Sequence, residues 1–209
     1  MRTLFAAAAG SLGLLAATQA SATITVTATA PFPQNPPENV LLNANAAGST
    51  ILGATNQTNT GVRFTSSTDT LNATSNGQAS VTPFDNALAA INIGLIDPHL
   101  GFSAFEFNLD SNVTGPLTLV FTDQFGHTQT GTQTFTVGAN GSNFFDAVSS
   151  GGELITGVSV SGANLSSVSQ VRIGGVASAI PEPASWALMI AGLGGLGVAL
   201  RTRRRLAAV

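Results

Sequence analysis

The sequence predicts an all-β body, a jelly-roll-like β-sandwich, framed by an N-terminal signal peptide and one C-terminal transmembrane helix. Three observations predict it. Between residues 23 and 178 apolar and polar residues alternate in short runs with turn residues between them, and helical periodicity is scarce. The body is rich in Thr, Ser, Asn, Gly, Val and Phe, which suits pleated strands and tight turns. The chain has no Cys, so an apolar core must hold the fold without disulfides.

Thr23 to Ala28 reads as the opening strand. Pro31 to Pro37 is a proline-rich connection that cannot be a central strand. Val62 to Ser66 and Leu71 to Thr74 are short strands around the polar turn Ser67-Thr68-Asp69-Thr70, and Gln78 to Thr82 pairs with one of them. Ala89 to Leu95 places Ile91, Ile93 and Leu95 on one face. Ser103 to Leu109 places Phe105, Phe107 and Leu109 on one face, with Glu106 and Asn108 opposite. The clearest hairpin joins Leu117 to Thr122, the turn Asp123-Gln124-Phe125-Gly126, and a long return strand from His127 to Val137. Asn143 to Asp146, the turn Gly151-Gly152, Ile155 to Ser161 and Val168 to Ile173 close the domain. These eight to eleven strands suffice for two sheets packed face to face. A β-barrel or solenoid is the runner-up, and the lack of a fixed-length repeat weighs against the solenoid.

The two ends carry a different message. Arg2, the apolar stretch Leu4 to Ala17 and the small residues Ala20-Ser21-Ala22 make residues 1–22 a secretory signal peptide. Cleavage is expected after Ala22, with Ala20 as the alternative. At the other end residues 179–209 form a tag. Pro181-Glu182-Pro183 is held out of helix by its prolines, with Glu182 as its one charge. The 17 residues from 184 to 200 carry no charge. As a helix they span roughly 25 Å, a short but adequate crossing. Trp186 sits at the interface position, and Arg201, Arg203, Arg204 and Arg205 form a basic stop in the tail 201–205 that holds that end in the cytoplasm.

This end resembles the PEP-CTERM sorting signal. Pro181-Glu182-Pro183, Trp186-Ala187, the glycine-rich Gly192 to Gly197 and Arg203-Arg204-Arg205 match its parts in order. The tag is also labelled an ice-binding protein C-terminal domain. The resemblance implies an exosortase substrate of a Gram-negative bacterium. Such a protein is anchored in the inner membrane by the helix, then cleaved near the tripeptide and moved to the cell surface or the extracellular matrix of a biofilm. Within the same run Gly192-x-Gly194-x-x-Gly197 matches a dinucleotide-binding string, but no strand precedes it.

Chemistry is sparse in the body. Nine acidic residues face two bases, Arg63 and Arg172, which leaves seven negative charges and argues against nucleic acid or anionic polymers as partners. The chain lacks Cys and Lys as nucleophiles, and has no Gly-x-Ser-x-Gly elbow; Gly157-x-Ser159-x-Ser161-Gly162 is one residue out of pattern. His99 and His127 read as surface histidines. A glycosidase needs two carboxyl groups roughly 5–9 Å apart, and Glu106, Asp110 and Asp123 are the nearest set. Zinc has no ligand set. Asp110-x-Asn112-x-Thr114-Gly115 has the opening rhythm of a calcium loop, but Phe121 stands where an EF-hand needs Glu. The expectation is therefore no cofactor, with a structural calcium as the alternative. Thr23, Thr25, Thr27 and Thr29, and Thr128 to Thr136 at every second position, form two threonine ladders of the kind ice-binding surfaces use. The expected protein is a non-enzymatic surface or matrix protein that binds exopolysaccharide or other matrix glycans. A secreted polysaccharide-active hydrolase is the alternative, and an ice-binding surface the third reading.

Overall fold

The structure is a computed structural model. It describes residues 23–28, 37–42, 46–73, 77–130, 135–141, 143–180 and 189–197. The strands in chain order are β1 (Ile24–Ala28), β2 (Glu38–Leu42), β3 (Ala46–Gly48), β4 (Thr50–Thr55), β5 (Gly61–Thr65), β6 (Leu71–Ala73), β7 (Gly77–Gln78), β8 (Ser80–Pro83) and β9 (Leu88–Leu95). They continue as β10 (Leu100–Gly101), β11 (Ala104–Ser111), β12 (Gly115–Asp123), β13 (Thr128–Thr130), β14 (Phe135–Val137), β15 (Asn143–Ser149), β16 (Ile155–Gly174) and β17 (Ala177–Ser178). Residues 189–197 are helical.

The all-β expectation holds. The arrangement is closer to the runner-up barrel than to a jelly roll, because the body strands form one 15-stranded sheet instead of two separate ones. The reason lies in β16. Its first half pairs with β9, which leads through β5 and β4 to β2. β2 then returns to the far end of β16, at Asn39 opposite Arg172 and Glu38 opposite Ile173. The ladder thus closes on the strand it left, a barrel-like path. Three further groups extend from β16: β12 with β13 and β14, β11 with β15 and β1, and β8 with β6 and β3.

The sequence reading split β16 into two strands, and the structure shows why. Alternation flips phase wherever an extra residue bulges out. Val158 and Val160 are buried in the first half, Leu165 after the bend, and Val171 and Ile173 at the end. Register shifts fall between Ser161 and Leu165 and again between Ser169 and Arg172. At these places Asn164 and Gln170 take φ of 55° and 52°. Asn tolerates the left-handed region, whereas a β-branched residue does not. Asn164→Gly should leave stability within a few tenths of a kcal/mol, and Asn164→Val should cost ~1–2 kcal/mol in urea unfolding.

Other elements fall close to expectation. Ile91, Ile93 and Leu95 are buried, as are Leu117, Leu119 and Phe121 on β12, and Gly151 and Gly152 make their turn at positive φ. The return strand after Gly126 is described as the two short strands β13 and β14, both paired with β12. The unread strands are β2, β3, β4, β10 and β17. Pro31 to Pro36 lie outside the described residues. One contiguous apolar cluster fills the body, from Val40 on β2 to Ile173 on β16.

β10 and β17 form a separate two-stranded sheet, Leu100 opposite Ser178 and Gly101 opposite Ala177. The Ala179 N–H adds a bond to the His99 carbonyl at 2.8 Å. The chain is therefore pinned to the body up to the residue where the tag begins.

Candidate functional site

The tag was the most explicit site in the sequence. Pro181, Glu182, Pro183, Trp186, Ala187 and the basic stop Arg201, Arg203, Arg204 and Arg205 all lie outside the described residues, as do Ala20 and Ala22. Of the expected span 184–200, residues 189–197 are described, and they are helical and exposed throughout. Met189, Ile190, Leu193 and Leu196 are each more than half exposed, so this apolar stretch takes no cover from the body. Among the described residues no helix is long and apolar enough to cross a membrane.

In the body, the expected acidic set does not assemble. Glu106 pairs with the far end of β16 at Arg172, while Asp123 pairs with its beginning at Ile155. Asp110 accepts a hydrogen bond from Ser167 Oγ at 2.8 Å. Asp123 caps the hairpin turn: it accepts the N–H groups of Phe125 and His127 at 2.8 Å each, and lies 3.0 Å from His127 Nδ1. Burial pushes its carboxyl up, and these bonds outweigh burial and hold it below the ordinary carboxylate value. His127 is exposed, and His99 sits in the turn after Asp97, its N–H on Asp97 Oδ1 at 2.9 Å. Glu38 is a structural acid of the same kind, with burial outweighed by hydrogen bonds from Thr58 and Thr55.

Nor do the residues of the calcium-like loop converge on one point. Asp110 faces Ser167, Asn112 Nδ2 donates to the Asn86 carbonyl, and Thr114 Oγ1 accepts the Ala139 N–H. Among the described residues no group of three or more His, Cys, Asp or Glu could hold a metal ion. Of the threonine ladders, Thr25 and Thr27 share an exposed face of β1, and Thr128 and Thr136 are exposed on β13 and β14. Thr29, Thr132 and Thr134 lie outside the described residues.

Glu106 has a partner that the sequence did not suggest. It lies directly opposite Asp146 on β15 and, on its other side, Arg172 on β16. Directly opposed residues share a face, with Cβ atoms about 4.5–5.5 Å apart. The face was expected to be solvated, and it is not: Glu106 is wholly buried and Asn108 nearly so. Strand β11 is covered on both faces. Among the described residues, both carboxylate oxygens of Glu106, Oδ1 of Asn108 and Oδ1 of Asp146 have no hydrogen-bond partner. Burial first, then the Asp146 charge, push the Glu106 carboxyl up to about 7, against the pull of Arg172. Burial also raises Asp146. The cluster can hold a proton near neutrality, yet Glu106 has no surface to offer a substrate.

A second place missed in the sequence is open to solvent. A pocket of about 500 Å³ is lined by Ala47, Thr68, Asp69, Thr70, Phe84 and Asp85. Phe84 is 78% exposed, the most exposed large apolar side chain among the described residues. The walls are tied together. β6 pairs with both β3 and β8, and the Phe84 N–H donates to the Thr70 carbonyl at 2.9 Å. Asp69 Oδ2 accepts from Thr68 Oγ1, Ser66 Oγ and the Ala89 N–H. Burial raises its carboxyl, and these bonds outweigh burial and keep it low, so Asp69 is ionised at neutral pH.

Comparison with known proteins places the tag. Residues 179–205 match the PEP-CTERM protein-sorting motif, so this is a PEP-CTERM sorting domain-containing chain. The motif implies export, sorting by way of the membrane and recognition by an exosortase. No curated protein matches the chain. Among solved structures it is similar to the enzymatically active domain of bacteriophage CBA120 tailspike protein 4, at 12% identity and a TM-score of 0.26. That similarity takes in 73% of this chain and 19% of the tailspike chain.

Proposed function

We propose that this exosortase substrate is a non-enzymatic display protein whose β-rich body binds glycan at the cell surface or in the extracellular matrix. The observation that carries the reading is the open pocket beside Phe84, joined to a chain whose sorting motif sends it out of the cell. Phe84 offers an aromatic face at the pocket rim, the kind of group that lines ligand sites and on which a sugar ring can stack. Carboxylates and hydroxyls beside it supply hydrogen bonds for a polyhydroxyl ligand. In this reading the helix over 184–200 anchors the chain in the inner membrane until the exosortase cuts near Pro181-Glu182-Pro183. The β10–β17 pairing keeps the body close to that cut.

A polysaccharide hydrolase would draw on the Glu106–Asp146 pair, and the complete burial of Glu106 weighs against it. The sorting half of the proposal is tested by mass spectrometry of the protein in membrane, surface and medium fractions, for wild type and Glu182→Ala. Wild type should end near Pro183 outside the inner membrane. Glu182→Ala should stay in the membrane fraction with Arg201 to Arg205 still attached. If wild type retains its arginines, the helix is a permanent anchor and exosortase processing is refuted for this protein.

A further inference from the structure

We infer that the Phe84 pocket takes a cationic amino sugar, a glucosamine unit carrying a free ammonium group; this rests on the glycan reading above and narrows it. The argument is one of charge and shape. Two carboxylates, Asp69 and Asp85, line the pocket, and among the described residues no basic side chain does. The two arginines between residues 23 and 180 are Arg63 and Arg172, both placed elsewhere: Arg63 on β5 opposite Gly94, and Arg172 beside Glu106. A uronic acid or sulfated sugar would meet uncompensated repulsion there. A neutral sugar would leave the anionic pair without a countercharge. An ammonium group beside the ring of Phe84 gains from both the carboxylates and the aromatic face.

The two acids differ in a useful way. Asp69 is locked by three donors and supplies a fixed negative charge. Asp85 is exposed, and its Oδ1 takes the Ala87 N–H at 3.1 Å in the same turn as Phe84. The hydroxyl-bearing Thr68 and Thr70 flank Asp69 in the turn between β5 and β6 and also line the pocket. Short hydrogen-bonded strands hold both turns, so the site is formed before the ligand arrives. The seven-charge acidic excess of the body adds long-range attraction for a polycation, which salt screens.

The experiment is calorimetric titration of the full chain in detergent micelles at physiological salt. The probes are a β-1,4-linked glucosamine hexamer, its N-acetylated counterpart and an oligogalacturonate of equal length. Wild type should bind the glucosamine hexamer, bind the acetylated hexamer about tenfold more weakly, and ignore oligogalacturonate. Phe84→Ala should lose about tenfold in affinity and Asp85→Asn severalfold. Both positions are exposed turn residues, and Asn keeps the acceptor for Ala87, so both variants should unfold like wild type. If the acetylated hexamer binds as tightly as the free amine and still depends on Phe84, the cationic specificity is refuted and the glycan reading survives. Binding of the glucosamine hexamer that is unchanged in both variants is general charge attraction and overturns the pocket. Silence toward all three probes overturns the amino-sugar inference alone; the glycan reading falls only if neutral glucan, mannan and galactan oligosaccharides are silent as well.

Discussion

Raising the pH from 5 to 8.5 should weaken the folded body by about 3 kcal/mol, and Glu106→Gln should remove most of that loss. The cause is the buried carboxyl of Glu106, moved from an ordinary 4.5 to about 7 by burial and by Asp146 across the ladder. Between those two values the folded chain holds a proton that the unfolded chain has released. Stability from this group is complete below about 4.5 and drains away as pH rises through about 7. The gap between the two values converts to about 3 kcal/mol. Asp146 is shifted in the same direction and adds to the slope; Arg172, opposite Glu106, opposes it. Glu38, Asp69 and Asp123 act with the opposite sign. Their carboxyls are held low, so their contribution is present above their ordinary values and is lost as pH falls through the lowered ones. The most stable pH should lie near 5, between the two groups. Urea unfolding of wild type and Glu106→Gln across this range checks it. Glutamine keeps the shape and removes the charge, so it should match or exceed wild type above pH 7. Equal losses in both proteins would show that another group carries the proton.

What was legible in the chain, and what was not, follows from the range of each signal. The tag could be read because its signals are local: two prolines, an uncharged run and an arginine cluster lie within about 25 residues. The β12 hairpin could be read because Leu117, Leu119 and Phe121 alternate without interruption up to a turn. Alternation on β11 identified two faces, and Phe105, Phe107 and Leu109 were assigned to the core correctly. It could not report that the second face is also covered, because that depends on strands far away in sequence. The pairing of Glu106 with Asp146 is a matter of register between β11 and β15, which no local pattern encodes. Strand β16 failed for the opposite reason: the strand is continuous, but its bulges near Asn164 and Gln170 break the pattern that identifies it. Phe84 gave no sign at all. A phenylalanine between Pro83 and Asp85 reads as a turn residue, and only the packing of β3, β6 and β8 leaves it exposed beside a pocket.

Phe107→Ala should cost the body more than any change at its surface, about 3–5 kcal/mol. Phe107 is fully buried at the centre of a chain of five rings. It lies 5.1 Å from Phe105 and 5.4 Å from Phe145, which continue to Phe102 at 5.5 Å and Phe135 at 5.3 Å. Truncation loses the transfer energy of the ring and leaves a cavity that β11 cannot collapse, because β15 and β16 grip it on both sides. It also removes two aromatic pairs worth about 0.5–1.5 kcal/mol each beyond their area, which places the loss toward the upper end. Phe107→Leu keeps most of the volume and should cost about 1–2 kcal/mol. Phe125→Ala, at a turn and 56% exposed, should stay within about 0.5 kcal/mol. Urea midpoints of the three variants at pH 5, where Glu106 is protonated, separate packing from charge. A loss below 1 kcal/mol in Phe107→Ala would mean that the ring chain is not the centre of the core. The expected size matters for an exported chain without cysteine. Typical domain stability is about 5–15 kcal/mol, so this one truncation removes a third or more of a modest total, and no disulfide is present to offset it. The same arithmetic links the two predictions. A body already weakened by about 3 kcal/mol at alkaline pH has least to spare there, so Phe107→Ala should unfold first as pH rises, and adding Glu106→Gln should recover most of the pH-dependent part. Phe107 and Glu106 are adjacent on β11 and share its β15 and β16 neighbours, so the two effects should couple through the strand, and a double-mutant cycle reads the size of that coupling.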